Sequence, residues 1–202
     1  MRKLFLLLTL FAVGSLSAQG NGDYVSMSFI KTTPGEDYFT ILNEKWKDLA
    51  QMRANEGTIT AWDVWVNPWA TSESDWNIMI ATVAKHPDSL NANAGVPKMR
   101  PDYSEMDVEI FSQKNIKART IVHDHLLVNK GLVFPGNDGG TPVVPRVAVI
   151  NLMKVGYTDG FNYEKAENNL TSEASLGNRA GWGLLKRLDQ AGTAVYYNYM
   201  TV

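Results

Sequence analysis

The chain of 202 residues contains no cysteine. It can therefore form neither a disulfide nor a thiolate metal site, and it cannot be a thiol enzyme. Hydrophobic residues make up 45% of the chain, which is enough for a sizeable core. If the protein is exported, its fold must be held by that core or by oligomerisation.

The sequence also lacks a cluster of basic residues. It has 19 Lys and Arg against 21 Asp and Glu, which gives a formal net charge of −2. Nucleic acids and anionic membranes are bound mainly through basic surfaces. We therefore expect no nucleic-acid partner, and no membrane partner once the leader described next has been removed.

The apolar run at the start of the chain, Leu4 to Val13, is too short to span a bilayer, which takes about 20 residues. It follows Arg2 and Lys3, and small residues ending at Ala18 come after it. This arrangement is typical of a cleaved secretory signal peptide. We predict a signal peptide over residues 1–18 and an exported protein, periplasmic or extracellular.

A Gly- and Pro-rich stretch divides the remaining chain in two, and it is predicted to be a linker over 131–145. In both parts, the hydrophobic periodicity predicts a strand, then a helix, then a Trp-bearing strand and its return strand. The first part continues into a further helix, which Ser104 is placed to cap, and a fourth strand. The predicted units are residues 23–130 and 146–202.

This repeated order is an internal repeat of low identity. The residues that carry it are Lys31 and Lys154, Glu44 and Glu164, Trp46, and the strand starts Gly57 to Trp62 and Gly177 to Trp182.

On these residues, the chain after the signal resembles the dimeric alpha–beta barrel superfamily, as a tandem copy in one chain. The resemblance implies an α+β fold of two ferredoxin-like βαββαβ units packed as a dimeric α/β barrel. The second unit is expected to be truncated, because Val202 directly follows its third strand. The resemblance also implies a cavity between the two sheets. Some members of the superfamily use this cavity as cofactor-free oxygenases or isomerases, and some bind haem through a histidine.

Small polar and aromatic side chains are candidates to line that cavity, where they would suit a modest apolar ligand. Asp63 or a histidine would have to act as the base in any catalysis. The pattern fixes no residue in a catalytic role and leaves enzymatic activity open. The candidate ligand-binding residues are Ser26, Ser28, Asp63, Trp65, Asn77, Asn151, Tyr197 and Asn198.

The sharpest local motif is His123-Asp124-His125. Residues i and i+2 of a strand share a face, so both imidazoles are expected to point the same way. No cofactor is predicted, because two histidines alone do not complete a metal site, but two imidazoles with a carboxylate could hold a divalent metal, with His86, Glu105 or Asp107 as further ligands. The alternative interpretation is a polar patch on a sheet. If haem is bound, its ligand must be one of the three histidines.

The function that we expect is the binding of a small molecule in the inter-sheet cavity, with a homodimer possible. The first alternative is a monooxygenase-like or haem-dependent enzyme that uses the same cavity. The second is a carbohydrate or surface interaction module that uses exposed tryptophans. The candidates for that module are Trp62, Trp65, Trp69 and Trp76, of which Trp69 and Trp76 lie nearest the predicted turn.

Overall fold

The structure is a computed structural model. It describes residues 22–91, 102–133, 147–174, 181–189 and 196–202, without the side chains of 170–174. The signal peptide predicted at 1–18 lies outside these residues. No helix within the described ranges is long and apolar enough to cross a membrane.

Within the described residues, seven strands form one sheet, in the order β2-β3-β1-β4-β6-β7-β5. Every neighbouring pair is antiparallel. The α+β class predicted from the sequence is therefore confirmed. The strands are β1 (Tyr24–Thr32), β2 (Ala61–Val66), β3 (Ile78–Ala84), β4 (Arg119–Val133), β5 (Asn151–Met153), β6 (Trp182–Arg187) and β7 (Tyr199–Thr201).

Helices connect the strands at three places. The first connection is α1 (Tyr38–Ile41), a π-helical turn (Leu42–Trp46) and α2 (Lys47–Asn55). The second is α3 (Glu105–Ala118), where Ser104 forms the predicted cap in a reciprocal capping box with Asp107. The third is α4 (Gly160–Ala174). Short 3₁₀ turns lie at Pro87–Leu90 and Tyr157–Asp159.

Strand β1 shows how the sequence separates the two faces of the sheet. Val25, Met27 and Phe29 are buried on one face, here called the inner face. Ser26 and Ser28 alternate with them and lie on the opposite face, here called the helix face. The helices α1, α2 and α4 pack on the helix face.

Strand β4 joins the two halves of the sheet, because it pairs with β1 along its first part and with β6 along its last part. It extends into the stretch predicted to be a linker at 131–145. Gly131–Val133 are strand, and residues 134–145 lie outside the described ranges. Gly131 follows a break in the β4–β6 register. A Cβ there would collide with the Asn168 side chain of α4, so the glycine marks a close approach of helix to strand rather than a loop.

The inner face carries one hydrophobic cluster to which both halves contribute. Met27 and Phe29 of the first half belong to it together with Leu185 and Met200 of the second. The two halves therefore share a core on this face. On the helix face, each half has its own cluster: one surrounds Leu42 and the other surrounds Leu184.

Candidate ligand-binding cleft

The described residues line a cavity of about 440 Å³ between the helix face and helices α1 and α2. We call it the helix–sheet cleft. The sequence led us to expect a cavity between two sheets, whereas the described strands form one sheet whose inner face carries the packed cluster. The residues that line the cleft are Ser26, Tyr38, Trp46, Leu49, Ala50, Arg53, Trp62, Ile80, Thr82, Leu90, Asn91, Arg119, Asp124, His125, Leu126 and Asp189.

The floor of the cleft is a row of side chains across four strands. Ser26 is paired with Thr82 and with Leu126, and Thr82 is paired with Trp62. Residues paired in this way project from the same face of a sheet. The two central members, Ser26 and Thr82, are small, and this leaves space beneath the helix.

The wall is the helical segment above that row. Trp46, Leu49 and Arg53 follow one another at helical spacing, so they share one face of the segment. The indole Nε1 of Trp46 donates a hydrogen bond of 3.0 Å to Oδ1 of the buried Asn115 on α3. This bond to α3 holds the indole ring of Trp46 in position. Trp46 ends the π-helical turn, an irregularity that is frequent at functional sites.

Two arginines bring positive charge to the cleft. Arg53 is only 7% exposed, and a guanidinium N–H donates to the backbone oxygen of Ser89. Burial lowers the pKa of Arg53. The guanidinium of Arg119 lies over the Tyr38 ring, 5.5 Å from its centroid. Burial raises the pKa of Tyr38 to about 12, against the opposing effect of Arg119, so its hydroxyl stays protonated at neutral pH.

The two carboxylates of the cleft have partners within the protein. Asp124 accepts hydrogen bonds from Ser28 Oγ at 2.8 Å and Ser26 Oγ at 3.4 Å. Asp189 accepts from Arg187 Nε at 2.9 Å, and its Oδ2 lies 3.3 Å from Nδ1 of His125. Burial opposes ionisation of Asp189, but the contacts with Arg187 and His125 outweigh it and lower the pKa.

The eight residues predicted to line one cavity fall on different parts of the sheet. Of the two serines, Ser26 lines the cleft and Ser28 lies beside it. Asp63, Trp65 and Tyr197 belong to the inner face, where Trp65 and Tyr197 join the shared cluster. Burial raises the pKa of Asp63 to about 6.

The three predicted asparagines hold backbone and neighbouring side chains together. Asn77 accepts from the backbone N–H of Thr32 and donates to its hydroxyl. Asn198 accepts from the backbone N–H of Val155 and donates to its carbonyl. Asn151 is exposed on β5 and donates to the Thr201 hydroxyl.

His123 and His125 lie on the same side of β4, as predicted, and their rings stack with centroids 5.7 Å apart. The ring of His125 also contacts Phe29 and Tyr197 edge to face. Burial lowers the pKa of His125, and the nearby Asp189 only partly offsets this. Across the described ranges, no three or more His, Asp or Glu side chains form a group that could hold a metal ion. The predicted metal site therefore stays a prediction.

The four tryptophans of the first hairpin do not form one platform. Trp62 lines the cleft, whereas Trp65 packs against the inner-face cluster. Trp76 also packs there, edge to face with Phe29 at 5.1 Å. Trp69 alone is largely exposed.

Sequence reasoning missed the helical wall of the cleft, above all Arg53 and Arg119. One signal was available. Arg53 follows Leu49 by four residues, so a charged side chain continues the apolar stripe of the helix. Arg119 begins a strand, and no pattern distinguishes it from a solvent-exposed arginine.

No protein-family model and no curated protein matches this chain. The solved structures that are similar to it include the following two. One is a dimeric protein of unknown function with a ferredoxin-like fold from Bacteroides fragilis, at 12% identity and a TM-score of 0.34, covering 52% of this chain and 92% of that one. The other is a chlorite dismutase-like protein, at 7% identity and a TM-score of 0.44, covering 89% of this chain and 77% of that one.

Proposed function

We propose that the protein binds a small molecule in the helix–sheet cleft. The observation that carries this proposal is the cavity of about 440 Å³, which lies beside a well-packed core. Its volume is within the range of about 300–1,000 Å³ that is usual for ligand sites. Trp46, Trp62 and Leu49 offer apolar contact, while Ser26 and Asp124 offer a few hydrogen-bonding groups, a combination that is typical of such sites.

Filling the cleft tests this proposal. A fragment library is screened by ligand-observed NMR against the wild-type protein and Ser26→Leu, with the same substitution at the exposed Ser72, Ser72→Leu, as the control. The larger side chain in Ser26→Leu occupies the floor of the cleft. We therefore expect the compounds that bind the wild-type protein to lose affinity for Ser26→Leu and to keep it for Ser72→Leu. Failure to find any binder, or binders that persist in Ser26→Leu with unchanged affinity, would contradict the proposal.

Haem is a second candidate ligand, and His125 is the observation that favours it. Among the histidines of the described ranges, His125 borders the cleft, and its ring lies on the inner face against Phe29 and Tyr197. Its Nδ1 lies next to the Asp189 carboxylate, which is the kind of contact that orients a metal-ligating imidazole. Its lowered pKa keeps the ring neutral, as ligation requires. Bound haem would supply redox chemistry, and His125 would hold it from the inner face, on the side of the sheet away from Arg53 and Arg119.

Titration with hemin distinguishes this candidate. We expect a shifted Soret band with the wild-type protein and with His86→Ala, because His86 is exposed outside the cleft. The shift should be lost in His125→Ala. A spectrum identical to that of free hemin would rule haem out and leave the small-molecule proposal standing.

We further propose that the chain is a tandem of two ferredoxin-like units arranged as an α/β barrel, and that it forms a homodimer. The order β6-β7-β5 in the second half supports the tandem, because it matches β2-β3-β1 in the first half. Light scattering measures the mass in solution, and a monomer at all concentrations would contradict the dimer.

Export is proposed from the sequence alone. Expression of the full chain in a bacterial host, followed by N-terminal sequencing of the periplasmic fraction, should give a mature protein that begins at Gln19. Recovery of the uncleaved chain from the cytoplasm would contradict export.

A further inference from the structure

We propose that the ligand of the helix–sheet cleft is an organic anion, an aromatic or apolar carboxylate, held by Arg119 and Arg53. This inference rests on the proposed function and adds the chemical class of the ligand. It comes from a difference between the acidic and the basic groups that line the same cavity.

The acidic groups of the cleft are already neutralised or hydrogen-bonded by the protein. Asp124 accepts from two serine hydroxyls, and Asp189 forms an ion pair with Arg187. A cationic ligand would have to compete with these contacts.

In the part of the chain that the structure describes, the basic groups of the cleft have only uncharged partners, which are the backbone oxygen of Ser89 for Arg53 and the ring of Tyr38 for Arg119. Neither Arg53 nor Arg119 forms an ion pair within the described ranges. Arg53 is nevertheless buried, and an unpaired buried cation is energetically unfavourable. Glu56 favours its charged form, but the effect of burial is larger. An anion in the cleft would remove this imbalance.

The geometry of arginine narrows the class further. A guanidinium presents several N–H donors in one plane, which match the two oxygens of a carboxylate. Tyr38 holds the Arg119 guanidinium by a cation–π contact, so less side-chain entropy is lost when a ligand binds. The rings of Trp46 and Trp62 provide surfaces for the apolar body of the ligand.

Matched pairs of probes test the class. Naphthalene-2-carboxylate, naphthalene-2-carboxamide and naphthalen-2-ylmethylammonium share one apolar body and differ in charge. Further acid–amide pairs from the fragment library extend the comparison. Dissociation constants are measured by titration calorimetry at two salt concentrations. We expect acids to bind about tenfold or more tightly than their amides, with a preference that weakens as salt rises.

Three variants show whether Arg119 is responsible for the preference for acids. Arg119→Gln should reduce acid affinity about tenfold and leave amide affinity unchanged. Lys114→Gln removes the same charge from the exposed surface of α3 and should change neither. Arg119→Lys should recover only part of the affinity, because it keeps the charge and loses the planar donors.

The outcomes separate this inference from the proposed function. If amides or amines bind as well as acids, or if the acid preference survives in Arg119→Gln, the anion assignment is wrong and the cleft remains a ligand site. If no compound of any charge binds, the proposed function fails with it.

Discussion

The two halves of the sheet contain the same order of strand, helix and hairpin, but they bury it differently. In the first half, β1 lies between β3 and β4 and buries Val25, Met27, Phe29 and Ile30. In the second half, β5 pairs with β7 at the end of the sheet, and its three residues are exposed. An inner strand is covered along both edges, and an end strand along one.

The acidic groups differ in the opposite direction, because among the described residues the one in the first half lacks polar partners and the one in the second half has them. Asp63 of the first half is partly buried and has no hydrogen-bond or ion-pair partner within the described ranges. Glu164 of the second half accepts from Lys186 Nζ at 2.9 Å and from Tyr199 Oη at 2.7 Å. We infer that apolar burial stabilises the first half, whereas polar contacts contribute more to the second.

The largest predicted effect is a difference in the free energy of unfolding when the same Met→Ala substitution is made in the two corresponding strands. Met27→Ala in β1 removes a buried side chain and should lower the free energy of unfolding by about 2–5 kcal/mol. Met153→Ala in β5 removes a side chain that is 38% exposed and should cost about 0.5 kcal/mol or less. Denaturant unfolding of both variants measures the difference. Equal losses of stability in the two variants would contradict this contrast between the halves, and would mean that β5 is covered in solution.

The sequence was sufficient to predict the α+β class and several individual elements, because the signals for these are local. Alternation in β1 and the capping residue Ser104 depend on neighbours along the chain, and both predictions are confirmed. Gly131 was misinterpreted because the reason for it is tertiary: the Asn168 side chain of α4 approaches the backbone there. Pattern rules associate glycine with turns and cannot detect such an approach.

The candidate site was less predictable, because a cavity forms where the side chains of several distant segments leave a space unfilled. The periodicity of β1 placed Ser26 and Ser28 together, but it could not place them on a different face from Asp63. That assignment follows from the register, in which Ser26 is paired with Thr82 and Asp63 with Ala81. A change of one residue in register would exchange the two faces.

The next effect concerns Asp63. Because burial raises the folded-state pKa of this carboxyl to about 6, the folded protein binds a proton more readily than the unfolded chain does. Stability should therefore rise as the pH falls from 7 through about 6, down to the unfolded pKa. Asp63→Asn should be more stable than the wild type at pH 7 by about 2 kcal/mol, and this difference should shrink by pH 4.

Thermal unfolding across that pH range measures this prediction, with Asp75→Asn as the control for an exposed carboxylate of the same hairpin. We expect the control to match the wild type at each pH. An Asp63→Asn variant that is less stable at pH 7 would show that the carboxylate has a stabilising partner, and would remove the contrast with Glu164.

The smallest effect concerns Glu164, which attaches α4 to β6 and β7. Burial acts to raise the pKa of this carboxyl, but hydrogen bonds from Tyr199 and Lys186 outweigh it, and the pKa is lowered. A lowered pKa gives stability that is present above the unfolded pKa and is lost as the pH falls through the folded one.

Glu164→Gln should lower the free energy of unfolding by about 1 kcal/mol at pH 7, with the difference from the wild type disappearing in acid. Glu44→Gln is the matched control, since Glu44 aligns with Glu164 in the repeat proposed from the sequence but is exposed. Equal costs in the two variants would mean that Glu164 does not anchor the helix, and that polar contacts do not distinguish the second half from the first.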